Sequence, residues 1–394
     1  MNSKCEIKEK ALLIHEEHQG KIEVNSKIKV NNLKDLALVY TPGVAEPCLK
    51  IADNKENVYK YTSKQNTIAV ITNGTAVLGL GNIGPLASLP VMEGKAILFK
   101  EFGNINAFPI CIDSEDPKEI IHIISKISSS FGGINLEDIK SPECFEIEEK
   151  LQKILDIPCF HDDQQGTAIV ISAGLLNALK VINKKKEDVK IVICGAGAAG
   201  IATAKMLLSL KFKNIVLVDK EGAIYKNAKG LNSEQEKMSL ITNLNNEKGS
   251  LKEIIKNKDV FIGLSKPNLL NSEIVSTMNK NAIVFALANP IPEIMPEEAK
   301  KGNVRIIATG RSDFPNQINN ILVFPGMFKG ALRAKATKIN EEMKIAAVEA
   351  LKSIIPEKEL NENKIIPSIF DSEVSEKIAV AVEQAAIKTK VIRK

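Results

Sequence analysis

A glycine-rich turn in the middle of the chain limits the possible fold more than any other segment does. An apolar run at 189–194 leads into Gly-Ala-Gly-Ala-Ala-Gly, and an alanine- and leucine-rich stretch follows. The order strand, turn, helix predicts a βαβ unit that holds a pyrophosphate, because bare glycine backbone and a helix N-terminus favour an anion. We therefore expect a dinucleotide to bind at Gly195, Ala196, Gly197, Ala198, Ala199 and Gly200.

The next apolar run ends in Asp219, about twenty residues after the turn. An acid at this position accepts hydrogen bonds from the adenine ribose, which favours NAD. The neighbouring Lys220 could instead serve the 2′-phosphate of NADP, so the sequence leaves NAD and NADP open. A glycine turn without a ligand is the alternative, and the complete strand, turn and helix context argues against it.

Short apolar runs alternate with helical or polar stretches along the chain. In the second half they predict strands of a parallel sheet covered on both faces, at 189–194, 215–219, 259–264, 283–287 and 304–308. In the first half they predict strands at 67–72, 96–99, 107–112, 133–136 and 158–160, with helices at 116–130 and 166–181.

A chain of 394 residues exceeds the size of most single cores, so two domains are expected. The fold class predicted is α/β. Residues 1–160 would form an N-terminal α/β domain for substrate and metal, and residues 161–394 a doubly wound, Rossmann-type dinucleotide-binding domain with C-terminal helices.

Composition excludes several classes of protein. The net charge of +5 arises from 53 Lys and Arg against 48 Asp and Glu, with no block of like charge that would mark a nucleic-acid tail. No run approaches the roughly 20 apolar residues that span a bilayer, and residues 1–20 lack the apolar core of a signal peptide. We expect a cytoplasmic protein that acts on a small molecule and binds neither nucleic acid nor membrane.

Two groups of acids follow short apolar runs in the first half. Glu137 and Asp138 end one run, and Asp162 and Asp163 end another. In α/β sheets ligands bind at the carboxyl ends of strands, and converging carboxylates there would favour Mg²⁺ or Mn²⁺. The alternative is that these acids cap helices, and the pattern leaves both interpretations open.

Four further side chains could take part in chemistry. Lys95 stands at the start of a predicted strand, where burial would lower its pKa toward that of a base, although most lysines are solvated. Tyr40 precedes a Pro-Gly turn and could donate a proton, or be a structural tyrosine. Asn289 and Asn320 could each bind a cofactor amide or a substrate carboxylate, with turn formation as the alternative.

Taken in order, these segments closely resemble the malic enzymes, in particular their short bacterial form. The resemblance covers nearly the whole chain except about the last thirty residues. It rests on His18-Gln-Gly-Lys-Ile-Glu-Val, Tyr40-Thr-Pro-Gly-Val, Leu78-Gly-Leu-Gly-Asn-Ile-Gly-Pro, Glu93-Gly-Lys95, Phe131-Gly-Gly-Ile-Asn-Leu-Glu137-Asp138, His161-Asp-Asp163, the glycine turn and Phe324-Pro-Gly.

The resemblance implies oxidative decarboxylation of L-malate to pyruvate and CO₂ with NAD or NADP, dependent on Mg²⁺ or Mn²⁺, in a homodimer. It implies that Tyr40 is the general acid and that Lys95 is the general base and a substrate contact. It also implies that Glu137, Asp138 and Asp163 are the metal ligands, and that Asn289 and Asn320 lie near the substrate and the nicotinamide.

The chain departs from the family at several positions: Gln165 where many relatives have His, Cys194 where they often have Asn, and Asn73 and Asn82 where they often have Asp. None is a matched acid, base or metal position, so we expect altered tuning rather than loss of activity. Larger malic enzymes bind the malate carboxylate with an arginine in the segment that aligns with 72–77, where this chain has Ala76. Backbone N–H groups of that turn are the expected replacement.

Three other functions stay open at this level. A malolactic enzyme would form lactate with bound NAD, and product analysis distinguishes it. An amino-acid dehydrogenase also places a catalytic lysine before a dinucleotide fold, but it needs no metal, which the acid trio argues against. A metabolite-binding module on an inactive scaffold is disfavoured because the matched acid, base and metal positions are all intact.

Overall fold

Two sheets, one in each half of the chain, form the framework of the protein. The computed structural model describes the backbone of residues 2–77 and 79–393 and the side chains within these ranges from residue 7 onward. The first sheet contains β1 (Thr67–Thr72), β2 (Asn106–Cys111), β3 (Gly133–Leu136) and β4 (Cys159–His161). Its strands are parallel in the order β2-β1-β3-β4.

The second sheet contains β5 (Lys190–Cys194), β6 (Asn214–Asp219), β7 (Gly222–Ala223), β8 (Val260–Gly263), β9 (Ile283–Ala286) and β10 (Ile306–Thr309). The order is β10-β9-β8-β5-β6-β7, with β7 antiparallel to β6 and the other pairs parallel. This is the doubly wound dinucleotide topology, and its switch point lies between β5 and β8. The predicted α/β fold class is therefore confirmed.

Helices cover the faces of both sheets. Those of the first half are α1 (Asn2–Glu17), α2 (Leu33–Val39), α3 (Ala45–Asp53), α4 (Val58–Tyr61), α5 (Gly84–Gly103), α6 (Pro117–Ile127) and α7 (Glu143–Ile154). The rest are α8 (Asp162–Val181), α9 (Ala198–Ser209), α10 (Ser233–Ser239), α11 (Leu251–Ile254), α12 (Ser272–Val275), α13 (Pro296–Lys301), α14 (Phe324–Arg333), α15 (Glu341–Ser353) and α16 (Val374–Lys388). Among the described residues, no helix combines the length and the apolar character needed to cross a bilayer.

Nine of the ten strands expected from the sequence are present, with ends that differ by at most two residues. Their side chains are mostly buried, as expected for parallel strands between helices, except in the edge strand β2, which is only partly buried. The helix expected at 166–181 begins four residues earlier, at Asp162. The helix expected at 116–130 is α6, continued by a 3₁₀ turn at Ser128–Ser130.

The strand predicted at 96–99 is wrong, because these residues lie within α5. The run is continuously apolar, which fits a buried strand or a buried helix equally well. The longer pattern decides the matter: Met92, Ala96 and Phe99 are buried at helical spacing, on one face of α5. Lys95 therefore projects from the middle of a helix and does not begin a strand.

One apolar core is shared by both halves. On α5, Phe99 contacts Phe324 and Phe328 of α14, with ring centroids 4.6 and 5.4 Å apart. Phe160 of β4 contacts Phe328 at 5.9 Å. The aromatic rings thereby lock a C-terminal helix against the helix that carries Lys95.

Two glycines, Gly326 and Gly330, let α14 lie close against α16. A Cβ at Gly330 would lie 2.4 Å from the carbonyl oxygen of Ala379 and 2.8 Å from the Cβ of Val382. Gly330→Ala should therefore lower the free energy of unfolding by about 1–3 kcal/mol, the usual cost of overpacking. Urea denaturation followed by circular dichroism measures it.

Gly94→Ala is the matched control, because a Cβ there would meet only the far end of Lys21, at 4.0 Å. In this open helical position alanine should leave stability unchanged or raise it by up to about 1 kcal/mol. Equal stability of Gly330→Ala and the unaltered protein would contradict the close packing of α14 on α16.

Candidate active site and dinucleotide site

Three carboxylates meet where two neighbouring strands of the first sheet end. Glu137 and Asp138 follow β3, and Asp163 lies in the first turn of α8, directly after β4. One oxygen from each lies within 4.8 Å of the others. The Asp138 backbone N–H donates to Asp163 Oδ2 at 2.7 Å, and Asp138 adopts φ 53°. The predicted convergence of the two acidic groups is present.

Burial and mutual repulsion disfavour the state in which all three carboxylates are ionised. Burial raises the pKa of Glu137 to about 7 and that of Asp163 to about 6. The pKa of Asp138 rises to about 9, first through burial and then through the charges of Asp163 and Glu137. A divalent cation would remove this repulsion, and an all-oxygen donor set suits Mg²⁺ or Mn²⁺. The residues therefore fit such an ion.

Helix capping, the alternative explanation of these acids, is wrong. α7 begins only at Glu143, so Glu137 and Asp138 lie outside its first turn. The N-cap of α8 is His161, with no side-chain cap, and the Asp162 carboxylate instead accepts a hydrogen bond from Lys95. These acid side chains therefore do not cap α7 or α8.

Lys95 lies buried between two of these acids. Its Nζ is 2.8 Å from Glu137 Oε1 and 2.8 Å from Asp162 Oδ2. The ring of Phe324 covers it, with Nζ 4.2 Å from the centroid. Asn135 in turn donates to the second oxygen of Glu137 at 2.8 Å, so the acid that faces Lys95 is itself held.

The expected fall in the pKa of Lys95 is wrong for this arrangement. Burial acts to lower the pKa, but the negative charges of Asp162 and Glu137 outweigh it and raise the pKa above its ordinary value. Burial also raises the pKa of Asp162, to about 7. Lys95 and the acids around it therefore form one tightly coupled charge system.

Asn320 lies next to this cluster. A Cβ at Gly166 would lie 3.3 Å from the Cβ of Asn320 and 1.9 Å from Asp162 Oδ1. Asn320 and Asp162 therefore both lie close to Gly166. Asn289 lies close to the backbone of both halves of the chain. A Cβ at Gly79 would lie 3.1 Å from the backbone carbonyl oxygen of Asn289, and a Cβ at Gly310 would lie 2.8 Å from its side-chain Nδ2.

Tyr40 is not brought into the cluster within one chain. It follows α2 and its side chain is 66% exposed, while Lys95 is 8% exposed. Among the described residues, no hydrogen bond or ring contact joins the Tyr40 side chain to Lys95 or to the carboxylates.

The expectation that backbone N–H groups of the 72–77 turn bind the malate carboxylate is wrong for four of these groups. Each of the four already donates a hydrogen bond within the chain. The acceptors are Thr72 Oγ1 for Gly74, Asn73 Oδ1 for Thr75, the Asp138 carbonyl for Ala76 and the Gly81 carbonyl for Val77. The hydrogen bond from Ala76 N–H to the Asp138 carbonyl instead holds the backbone of Asp138 beside the end of β1.

The glycine turn lies between β5 and α9 and has the shape that a pyrophosphate needs. Gly195 adopts φ 106°, and a Cβ on Gly200 would lie 1.8 Å from the Gly195 carbonyl oxygen. Nothing lies within 4 Å of a Cβ position on Gly197, so space is open above the start of α9. The turn therefore fits a dinucleotide.

Sequence reasoning missed two polar residues beside these sites. Glu148 of α7 is 5% exposed and accepts hydrogen bonds from His161 N, at 3.0 Å, and from Gln165, at 3.1 Å. It thus fixes the end of β4 just before Asp162. The other is Gln235, which donates to Asp219 at 2.8 Å. Its spacing from Asn232 is that of a capping box, a visible signal for the helix but not for the site.

Comparison with known proteins agrees with this geometry. Residues 19–152 match the family model "Malic enzyme, N-terminal domain", and residues 164–387 match "Malic enzyme, NAD binding domain". The predicted boundary at residue 160 falls between the two matches and stays a prediction.

The chain is similar to an NAD-dependent malic enzyme of Geobacillus stearothermophilus, 56% identical over 95% of this chain and 78% of the relative. It is 52% identical to a bifunctional malic/malolactic enzyme of Bacillus subtilis, over 98% of this chain and 95% of the relative. An NADP-dependent malic enzyme of Halomonas elongata is 46% identical, over 95% and 92%.

Among solved structures, the malic enzyme of Pyrococcus horikoshii has a TM-score of 0.93 and 48% identity, covering 98% of this chain and 92% of that one. The amino-acid dehydrogenase and inactive-scaffold alternatives are therefore wrong. The chain belongs to the malic enzyme family and catalyses the oxidative decarboxylation of malate with NAD(P).

Proposed function

We propose that the acid cluster and Lys95 are the place where L-malate becomes pyruvate and CO₂, with Glu137, Asp138 and Asp163 holding Mg²⁺ or Mn²⁺. The observation that carries this proposal is Lys95 itself, a buried cation 2.8 Å from two buried carboxylates and adjoining a third. Such a group can exchange a proton with a bound alcohol without contact with bulk water.

The residues of the site divide the work. Glu137, Asp138 and Asp163 would hold a divalent cation, which would supply the positive charge that polarises the malate hydroxyl. The negative charges that hold the proton on Lys95 would be offset by a cation at the acids, so that Nζ, once neutral, takes the hydroxyl proton. Glu137 and Asp162 keep that nitrogen in position. Phe324 covers the nitrogen and excludes water from one side. Asn320, beside Asp162, orients the substrate.

A dinucleotide bound at the glycine turn would supply the acceptor for the hydride that leaves the carbon carrying the malate hydroxyl. The turn Gly195–Gly200 holds its pyrophosphate at the start of α9, and Asp219 accepts hydrogen bonds from the adenine ribose. Asn289, between the 79–81 loop and Gly310, orients the nicotinamide end. Tyr40 then donates a proton to the carbon that has lost CO₂.

We also propose that the protein is a homodimer and that Tyr40 enters the site of the partner subunit. No residue of α2, α3 or α4 is buried, and large apolar side chains there are open to solvent. Leu33, Leu38 and Tyr40 are 83, 68 and 66% exposed, and Leu12 of α1 is 73% exposed. This exposed apolar surface needs a cover, and β2 beside it is an edge strand.

A malolactic reaction, with lactate as product, is not favoured, although one relative carries both names. The reaction that we propose releases NAD(P)H into solution, whereas a malolactic enzyme retains its NAD. Assay of pyruvate, lactate and NAD(P)H together distinguishes the two.

The first prediction for the active site concerns the base and the metal ligands. With L-malate and Mn²⁺, the protein should reduce NAD or NADP, followed by absorbance. Lys95→Met and Asp163→Asn should each lower turnover by at least about 100-fold, the usual contribution of a general base or of metal catalysis. Lys95→Met should still bind NADH, and Asp163→Asn should lose its response to Mn²⁺.

Lys100→Met is the matched control, because Lys100 lies on the exposed side of the same helix, where it reaches Asn104 and Asn106. Its activity should stay within about twofold of the unaltered protein, as for most surface changes. Substantial activity in Lys95→Met would remove Lys95 from the role of base.

The second prediction concerns pH. The pKa values of Glu137, Asp138 and Asp163 rise to about 7, 9 and 6 on folding, so the folded state holds protons that the unfolded chain has lost. The free energy of unfolding of the metal-free protein should therefore fall as pH rises from about 5 to about 9. This is about the range between the ordinary pKa values of these acids and their raised values in the folded state. Mn²⁺ needs the deprotonated acids, so its stabilising effect should grow over the same range.

Thermal unfolding with EDTA and with saturating Mn²⁺, measured at several pH values, tests this dependence. The Tm difference caused by Mn²⁺ should increase with pH, and Asp138→Asn should reduce the increase. A Tm difference that is constant across the range would mean that the acids carry no extra protons in the metal-free protein.

The third prediction concerns Tyr40. Tyr40→Phe and Lys95→Met homodimers should both be nearly inactive. When the two variants are mixed by unfolding and refolding, or co-expressed with different tags, the hybrid should regain about half the activity of the unaltered dimer, since one site then has both groups. An inactive hybrid would show that Tyr40 serves its own chain, and a monomer in light scattering would exclude the dimer.

A further inference from the structure

The side chain of Gln235 joins the two halves of the dinucleotide site. Its Nε2 donates to Asp219 Oδ2 at 2.8 Å and to the carbonyl oxygen of Ala196 at 3.3 Å. Asp219 ends β6 and Ala196 lies in the glycine turn after β5, so a single amide bridges the ribose side and the pyrophosphate side. Gln235 is only 8% exposed.

The orientation of this amide is fixed by its neighbours. Gln235 Oε1 accepts the backbone N–H of Asn232 at 3.1 Å, within the capping box that begins α10. Because Asn232 N can only donate and both Asp219 Oδ2 and Ala196 O accept, the oxygen and the nitrogen of the amide cannot be exchanged. Both N–H bonds of the amide are therefore used, one on each half of the site.

Asp219 is consequently held on both of its oxygens. Gln235 donates to Oδ2, and the backbone N–H of Lys220 donates to Oδ1 at 2.9 Å. The remaining lone pairs of both oxygens can accept from ribose hydroxyls. An anion fixed in this place repels a 2′-phosphate.

We propose that Gln235 is a positioning residue that holds Asp219 as the ribose acceptor and sets its distance from the glycine turn, so that the protein prefers NAD to NADP. This inference rests on the proposed function of the turn as the dinucleotide site. Gln235 itself acts through Asp219 and Ala196 and does not touch the reacting atoms.

The test measures cofactor binding directly, by NADH and NADPH fluorescence in the purified full-length protein. Gln235→Leu keeps the bulk of the side chain but loses the donor. It should weaken NADH binding about tenfold, the loss expected for a hydrogen bond to a charged group. NADPH binding should change by less than about twofold, and kcat at saturating NAD should stay close to that of the unaltered protein.

Asn232→Ala is the matched control for a purely structural role. It removes the side-chain cap from the N–H groups of Glu234 and Gln235 but leaves the backbone N–H of residue 232 to hold the amide. Its Tm should fall as a lost cap requires, while NADH binding stays near that of the unaltered protein. Equal loss of NADH binding in Asn232→Ala and Gln235→Leu would overturn the proposal.

A double-mutant cycle tests whether Gln235 acts through Asp219. Asp219→Asn should weaken NADH binding, and adding Gln235→Leu should then have little further effect. A further tenfold loss in the double variant, about the same as in the single one, would overturn the proposal. If the unaltered protein binds no NADH, the proposed dinucleotide site fails; if it binds NADH and Gln235→Leu binds it equally well, only the role of Gln235 fails.

Discussion

The ion pairs of Lys95 are the interaction on which the rest of the site depends. A buried ammonium and its buried carboxylates are stable only together, because removing one partner leaves an unpaired charge away from water. Lys95 lies on α5, Glu137 follows β3 and Asp162 begins α8, so the charges tie together three elements that are distant in sequence. Phe324 adds α14 from the far end of the chain. The catalytic geometry and the packing of the two halves are thus one arrangement.

Much of the fold could be predicted because parallel strands buried on both faces leave a plain pattern of short apolar runs. The strand predicted at 96–99 failed for the same reason, since such a run is equally at home on the buried face of α5. The convergence of Glu137 with Asp163 was predictable from the carboxyl ends of neighbouring strands. The raised pKa of Lys95 was not, because it depends on which acids face the nitrogen in space.

The two sites are built at different depths of the molecule. The acid cluster is formed where the first sheet meets the long helix α8, and the buried core around Phe99 and Phe328 runs through both halves. The dinucleotide turn lies at the switch point of the second sheet, where its surroundings are set by backbone and by one amide. Sequence motifs describe the second kind of site well, whereas the first needs contacts between segments far apart.

Gly166 limits how this enzyme can change. A helix interior normally gains stability, by about 1 kcal/mol, when glycine is replaced by alanine. In α8 that methyl group would occupy a point 1.9 Å from Asp162 Oδ1, and the acid that holds Lys95 would have to move. A mutation that improves the helix therefore damages the charge arrangement one turn earlier. The stability that alanine would add to the helix is smaller than the cost of disturbing a buried ion pair, so both stability and turnover favour glycine at this position.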